Sequence, residues 1–178
     1  MDLNAGASKS NDVLKMLQFG HKRIRDLLFH YEQSEDPQHK LSFAETALNE
    51  LTIHSIIEED FFYPFLLTQN AEIAKLSKEG REEHEQIEIM VRELARYDNW
   101  TEDYDTIFSA LTESLNNHID WEESMVFPRV ADLSMEGLVD QMNRRRDELL
   151  LREGMDHERD FTPQTLLFTD ELHDRRSA

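Results

Sequence analysis

Residues 54–64 read HSIIEEDFFYP, and residues 118–128 read HIDWEESMVFP. Both stretches follow the pattern H-x3-E-E-x4-P. A further histidine precedes each stretch, because His21 lies 33 residues before His54 and His84 lies 34 residues before His118. The chain therefore contains two copies of one unit, and each copy consists of a lone histidine followed by a His-x3-Glu pair.

The two His-x3-Glu pairs have the spacing of neighbours on a helix. Residues i and i+4 share one helix face, so the histidine and the glutamate of each pair point the same way. Imidazole and carboxylate groups together are donor ligands for iron, zinc or manganese. The repeated unit predicts a metal site to which both copies contribute. The candidate ligands are His21, His54, Glu58, His84, His118 and Glu122.

Four long helical patterns contain these six residues. The predicted helices run from a cap at residues 10–12 to about residue 33, from Pro37 to about residue 67, from Ala71 to Tyr97, and from a cap near Thr101 to about residue 125. In each helix the apolar residues recur at alternating steps of three and four, which is typical of the inward face of a helical bundle. No segment has a convincing period of two. The pattern predicts an all-α fold, an antiparallel up-down-up-down four-helix bundle with an additional C-terminal helix and tail.

The predicted inward faces continue on both sides of the candidate ligands. They are formed by Leu14, Leu17, Ile24 and Leu28; by Ala44, Ala47, Leu51, Phe61 and Phe65; by Ile73, Ser77, Gly80, Ile87, Val91 and Leu94; and by Tyr104, Phe108, Leu111, Leu115 and Met125. The six candidates therefore occupy positions that otherwise call for Leu or Ile. Two carboxylates facing each other in an apolar core would be driven to protonate. A pair of divalent metal ions would offset their charge.

The chain divides into three parts by pattern. Residues 1–10 are expected to be flexible, residues 11–132 to form the bundle, and residues 133–178 to form the additional helix and tail. The additional helix is predicted over residues 134–153, with its apolar side formed by Met135, Leu138, Met142 and Leu149. It could cover one end of the bundle or contact a second subunit, so a homodimer is one of the open alternatives.

Composition excludes several classes of protein. The 178 residues include no cysteine, which rules out disulfides and thiolate metal sites within this chain. A net charge of −19 argues against a nucleic-acid partner or an anionic membrane. The only basic run, residues 144–146, lies among acidic residues and is interpreted as a solvated, salt-bridged helix face. No apolar run approaches membrane-spanning length and residues 1–10 contain no signal-like segment, so the expected location is the cytoplasm.

The ordered pattern H…HxxxE…H…HxxxE over residues 11–130 resembles the hemerythrin-like, or HHE cation-binding, family. The resemblance implies an up-down-up-down four-helix bundle that holds two non-haem iron ions. It also implies that Glu58 and Glu122 bridge the two irons and that the four candidate histidines bind them terminally. Oxygen-carrying hemerythrins place a second histidine one turn from the third-helix histidine, whereas the turn-neighbours of His84 are Gly80 and Glu88. The resemblance thus implies fewer terminal ligands and more open metal positions.

The function expected from this resemblance is binding of dioxygen, or of a related small oxidant or diatomic molecule. Such binding would serve sensing, iron handling or defence against oxidative or nitrosative stress. Two alternatives stay open: an oxidoreductase that processes peroxide or nitric oxide, and an interaction module that metal merely stabilises. The sequence offers no E-x-x-H motif of ferritin type, no H-E-x-x-H motif of zinc proteases and no candidate for nucleophilic catalysis. Binding is the first choice, and enzymatic turnover is the competing class.

The remaining histidines and the neighbours of the repeat receive simpler interpretations. Histidines 30, 39, 157 and 173 have no carboxylate four residues later on an inward face, and they are not candidate ligands. Glu59 and Glu123 either hydrogen-bond the ligating histidines or belong to a solvated acidic face. Tyr63 is interpreted as a packing residue, as are Phe61, Phe62, Tyr104 and Trp121. Pro64 and Pro128 are expected to end their helices.

Overall fold

The computed structural model describes the backbone of residues 5–152 and the side chains of residues 12–151. Within this part of the chain the regular structure is entirely helical, and the predicted all-α class is confirmed. The helices are α1 (Ala5–Gln33), α2 (Pro37–Ile57), α3 (Tyr63–Leu67), α4 (Ala71–Leu94), α5 (Glu102–Trp121), α6 (Phe127–Val130) and α7 (Leu138–Arg152). A first π-helical turn, Glu58–Phe62, joins α2 to α3, and a second, Glu122–Val126, joins α5 to α6.

Side-chain caps explain where three of the long helices begin. The Asp36 carboxylate accepts hydrogen bonds from the first turn of α2, Asn70 does the same for α4, and Thr101 for α5. The predicted starts of these helices are confirmed. By contrast, α1 begins at Ala5 rather than at the predicted cap at residues 10–12. The Ala-Gly-Ala-Ser-Lys-Ser sequence of residues 5–10 has no proline to interrupt the helix. Residues 1–4 of the predicted flexible N-terminus lie outside the described residues.

The prediction that Pro64 and Pro128 end their helices is wrong. The helices continue past these prolines to Leu67 and Val130. In each case the preceding π-helical turn closes with a bond over five residues, for example from the Tyr63 N–H to the Glu58 carbonyl. Each proline then lies in the first turn of a new α-helical segment, where its missing N–H and fixed φ are tolerated.

The π-helical turns also change which residues face the core. A π turn takes up one residue more than an α turn, so the inward face moves by one position beyond it. Phe62 and Leu66 are therefore buried instead of the predicted Phe61 and Phe65. In the second copy Val126 is buried, whereas the predicted Met125 is 41% exposed. The other predicted inward positions of the long helices are buried.

The core has two apolar clusters with a layer of polar residues between them. The first cluster includes Leu17, Leu76 and Met142, and the second includes Ile24 and Ile87. Along α1, His21 lies between Leu17 and Ile24, and along α4, His84 lies between Leu76 and Ile87. Helix α1 packs on α2 and α5, and α4 packs on α3 and α5. The candidate ligands consequently occupy one layer in the middle of the molecule.

Helix α7 packs against α1, α2 and the first π turn of the same chain. Met142 and Leu149 are buried in the first cluster. The side chain of Arg145 is largely shielded, and its Nε donates to Asp60 Oδ2 at 3.0 Å. The predicted salt bridge is present at Arg145, but this side chain is not solvated, because α7 turns it toward the bundle. The predicted tail beyond residue 152 lies outside the described residues.

Among the described helices, none combines the length and the apolar character that crossing a membrane requires.

The packing of α7 makes a prediction about the domain organisation. Met142→Ala removes a fully buried side chain from the first cluster and should lower the free energy of unfolding by about 2–5 kcal/mol. Leu151→Ala, on the same helix but 78% exposed, should change it by less than about 0.5 kcal/mol. Urea unfolding followed by circular dichroism measures both. Equal effects from the two variants would show that α7 does not fold together with the bundle.

Candidate metal centre

The six predicted ligands lie together in the polar layer between the two apolar clusters. Glu58 and Glu122 are fully buried, and His21, His84 and His118 are also buried. His54 is the most exposed of the six, with 10% of its side chain accessible. The four long helices α1, α2, α4 and α5 each bring a histidine, and the two glutamates stand at the first residue of each π turn. The histidine and glutamate of each pair therefore face inward one turn apart.

Four of these residues form the first half-site: His21, His54, Glu58 and Glu122. One ligand atom from each lies within 4.8 Å of all the others. His21 Nε2 is 3.2 Å from Glu122 Oε2, and His54 Nε2 is 3.3 Å from Glu58 Oε2. Two imidazoles and two carboxylates thus converge on one small space.

Three residues form the second half-site: Glu58, His84 and His118. Their ligand atoms also lie within 4.8 Å of one another. His84 Nε2 is 3.5 Å from Glu58 Oε2 and 3.0 Å from His118 Nε2. Glu122 is near as well, with Oε2 3.9 Å from His118 Nε2. Glu58 belongs to both half-sites.

The donor atoms of the centre fit a metal ion. The buried atoms His21 Nε2, His54 Nε2, Glu122 Oε2 and both carboxylate oxygens of Glu58 have no hydrogen-bond partner. Buried polar atoms are normally paired, because desolvation without a partner is costly. A cation with nitrogen and oxygen ligands would provide the partner that all of these atoms lack.

Carboxylates outside the centre lie beside three of the four imidazoles. His21 Nδ1 lies 2.9 Å from Glu123 Oε1, and His118 Nδ1 lies 2.7 Å from Glu83 Oε2. His84 Nδ1 lies 3.4 Å from Glu59 Oε1. Such partners orient an imidazole and leave its Nε2 free for a metal. Of the two interpretations given to Glu59 and Glu123, contact with the candidate ligands is the one the structure favours.

Tyr63 contacts two of the candidate ligands, although the sequence predicts only a packing role for it. Its fully buried hydroxyl donates to Glu122 Oε1 at 2.7 Å and lies 3.4 Å from His84 Nε2. A Cβ atom at Gly80 would lie 2.7 Å from this hydroxyl, so the glycine provides the space for it. A comparison of the two copies could have indicated this role, because Tyr63 has a hydroxyl and the equivalent residue of the second copy, Phe127, has none. The contact of Glu83, the residue directly before His84, with His118 was not predicted from the sequence either.

Burial and mutual repulsion set the protonation of the metal-free centre. Burial, followed by the nearby Glu122, raises the pKa of Glu58 to about 8. Burial also raises the pKa of Glu122, but the nearby imidazoles of His21 and His118 outweigh it and lower that pKa overall. Burial lowers the pKa of His54 to about 4. At neutral pH the metal-free centre therefore holds a proton on Glu58, which a metal ion would displace.

An all-helical fold with a buried cluster of imidazoles and carboxylates defines a class of metal-binding helical proteins. The model of the hemerythrin HHE cation-binding domain matches residues 12–130, and the chain belongs to this family. A crystal structure of a hemerythrin HHE cation binding domain-containing protein from Mycobacterium kansasii shares the fold, with a TM-score of 0.66 and 22% identity. The match covers 86% of this chain and 95% of that chain. Among curated proteins, none matches.

The raised pKa of Glu58 predicts how the stability of the metal-free protein depends on pH. Because the folded pKa of about 8 exceeds the ordinary value of 4.5, the folded state binds this proton more tightly than the unfolded state. The stabilisation is present at low pH and is lost as the pH rises toward 8. His54, with a folded pKa of about 4 and an ordinary value of 6.5, acts in the opposite direction, but only below about pH 6.5. The melting temperature of the apo protein should therefore fall between pH 6.5 and 8.

Glu58→Gln should weaken this fall, because the amide does not titrate. The exposed Glu113→Gln is the matched control and should melt with the pH dependence of the unmodified apo protein. Calorimetric scans at half-unit steps of pH, with a chelator present, measure the effect. A fall of the same size in Glu58→Gln would mean that Glu58 is already ionised in the metal-free centre.

Proposed function

We propose that this chain is a non-haem di-iron protein that binds dioxygen, or a related small oxidant or diatomic molecule. Its roles would be sensing, iron handling or defence against oxidative or nitrosative stress. The observation that carries the proposal is the position of Glu58, whose carboxylate belongs to both half-sites. A carboxylate shared between two sets of imidazoles is the arrangement expected of a bridge between two metal ions.

The proposed architecture is an antiparallel up-down-up-down bundle of α1, α2, α4 and α5. The non-helical segments at residues 34–36, 68–70 and 95–101 are short, and short connections favour antiparallel neighbours. The contact of α1 with α5 is consistent with a closed arrangement of four. In this proposal residues 11–132 form the bundle, and α7 is an addition that packs on it.

The chain's own residues would have distinct roles. Glu58 and Glu122 would bridge the two ions, His21 and His54 would bind one of them, and His84 and His118 the other. Bound iron would supply the open coordination positions and the redox chemistry. The choice of iron over zinc or manganese rests on the family resemblance, because the donor set suits all three metals.

Coordination positions that the protein leaves open on a bound iron ion would favour binding of an outside molecule. Each half-site offers two imidazoles and shares the carboxylates, which leaves an iron ion with fewer protein ligands than six. At Gly80, one turn before His84, there is no side chain to add another ligand, and Tyr63 fills that space. The Tyr63 hydroxyl donates to Glu122 and would hold this carboxylate in its orientation. We expect the protein in the cytoplasm, and its charge of −19 argues against a nucleic-acid partner.

The number of metal ions tests the ligand assignment. Protein from iron-supplemented expression should contain about two ions per chain, because two carboxylates and four imidazoles can hold a pair. Glu58→Ala and Glu122→Ala should each lose at least one ion, whereas the exposed control histidines, as His30→Ala and His39→Ala, should lose none. Elemental analysis with a protein assay gives the ratios. Loss of metal from the control pair equal to that from the glutamate variants would contradict the assignment.

The optical spectrum of anaerobically purified protein tests the function. We expect a rapid, stoichiometric colour change when dioxygen is added to the reduced protein, and again when azide is added to the oxidised protein. Reversal on removal of the gas supports binding, and sustained consumption with an added reductant would instead identify an oxidoreductase. If the metal-loaded protein shows neither change, the metal serves only to stabilise the bundle and the proposal fails.

A further inference from the structure

The repeat relates the two half-sites contact by contact. His21 approaches Glu122 of the other copy, as His84 approaches Glu58. The ring centroids of His21 and His54 are 4.7 Å apart, and so are those of His84 and His118. The contacts that differ between the two half-sites are therefore not explained by the repeat.

One such difference concerns the residue directly before each lone histidine. In the second copy this residue is Glu83, whose carboxylate contacts His118 Nδ1 at 2.7 Å. In the first copy it is Gly20, and no carboxylate within residues 12–151 contacts His54 Nδ1. A Cβ atom at Gly20 would lie 2.6 Å from His54 Nδ1, too close for any side chain to be added without moving the imidazole. Gly20 therefore makes room for the His54 imidazole, and His54 is the candidate ligand whose Nδ1 contacts no carboxylate among residues 12–151.

A cavity occupies the space beside His54. Its lining includes Met16, Gly20, Glu50, His54 and Arg146. Within the first half-site His54 is 10% accessible against 1% for His21, and His84 of the second half-site is 8% accessible. The cavity thus leads from the outside of α1 and α2 to a ligand of the first half-site.

Helix α7, which lies outside the residues matched by the family model, brings a positive charge to this cavity. Arg146 Nη2 lies 3.7 Å from Glu50 Oε2, and Arg23 is hydrogen-bonded to the other oxygen of the same carboxylate. Two guanidinium groups share one carboxylate, so these three residues carry a net positive charge. The chain as a whole carries −19. Local positive charge in a concave site raises the concentration of anions there and speeds their association.

We propose that the cavity beside His54 is the entrance to the centre for small monovalent anions of the size of azide. Gly20 adds no side chain to the lining of this entrance, and Arg146 attracts the anion to it. The inference rests on the proposed function only in assuming that a metal ion occupies the first half-site.

Arg146→Gln tests the charge preference. In the oxidised, iron-loaded protein this variant should slow azide association about 3- to 10-fold at low ionic strength, and the difference should shrink in salt. Nitric oxide, which is uncharged, should bind the reduced variant at an unchanged rate. The matched control is Arg144→Gln, an exposed residue two positions earlier that removes the same charge and should change the azide rate less than about twofold. Equal slowing by both variants would show that only the overall charge matters and would overturn the role of Arg146.

Met16→Trp tests the route. The larger side chain should fill the cavity and slow azide and nitric oxide alike, by at least fivefold, while iron content stays unchanged. Met125→Trp, at an exposed residue of the second π turn, is the control and should leave both rates unaltered. Unchanged rates in Met16→Trp at full iron content would place the entrance elsewhere.

A measurement on the metal-free protein separates this inference from the proposed function. Diethylpyrocarbonate acylates accessible neutral imidazoles, and peptide mass spectrometry locates the product. His54 should react faster than His21, and Met16→Trp should slow the reaction of His54 alone. If His54 reacts in this way but no iron binds, the opening stands and the di-iron proposal fails. If iron binds but His54 reacts no faster than His21, the opening proposed here is wrong.

Discussion

The burial of two carboxylates, Glu58 and Glu122, is the constraint on which the rest of the structure depends. Both are inaccessible to solvent, and they lie between apolar clusters that offer them no water. Charge in such a place is costly unless it is paired. Imidazoles surround the carboxylates, Tyr63 donates to one of them, and the pKa of Glu58 rises so that it keeps its proton in the metal-free state. Each of these features lowers the free-energy cost of burying the two carboxylates, and a bound cation would lower it further.

The two π-helical turns connect this constraint to the fold. Each turn begins at a buried glutamate and shifts the inward face of its helix by one position. The shift buries Phe62 and Val126 instead of Phe61 and Met125, and it allows the helix to continue past a proline. It also places Tyr63 beside His84, where its hydroxyl reaches Glu122. A regular α-helix would leave the same residues at a different angle, so the wide turns are part of the construction of the centre.

The two half-sites are built from the two copies of the repeat, and they differ where the two copies have different residues. Phe127 stacks on His21 in the first half-site, whereas Tyr63 brings a hydroxyl to the second. Glu83 supports His118, whereas Gly20 leaves His54 beside a cavity. Helix α7 then adds Arg146 at that cavity. A half-site with a hydroxyl partner therefore lies next to one that borders a cavity.

The sequence by itself determined the all-α class, the starts of α2, α4 and α5, and the set of residues that meet in the polar layer. These features depend on local chemistry: caps act within one turn, and residues four apart share a helix face whatever surrounds them. Only the tertiary structure decided the contacts between Tyr63 and Glu122, between Glu83 and His118, and between α7 and the first π turn. These pairs are far apart in the chain, and their distances depend on how the helices pack and on the one-residue shift at each π turn. Spacing along a single helix carries no information about either.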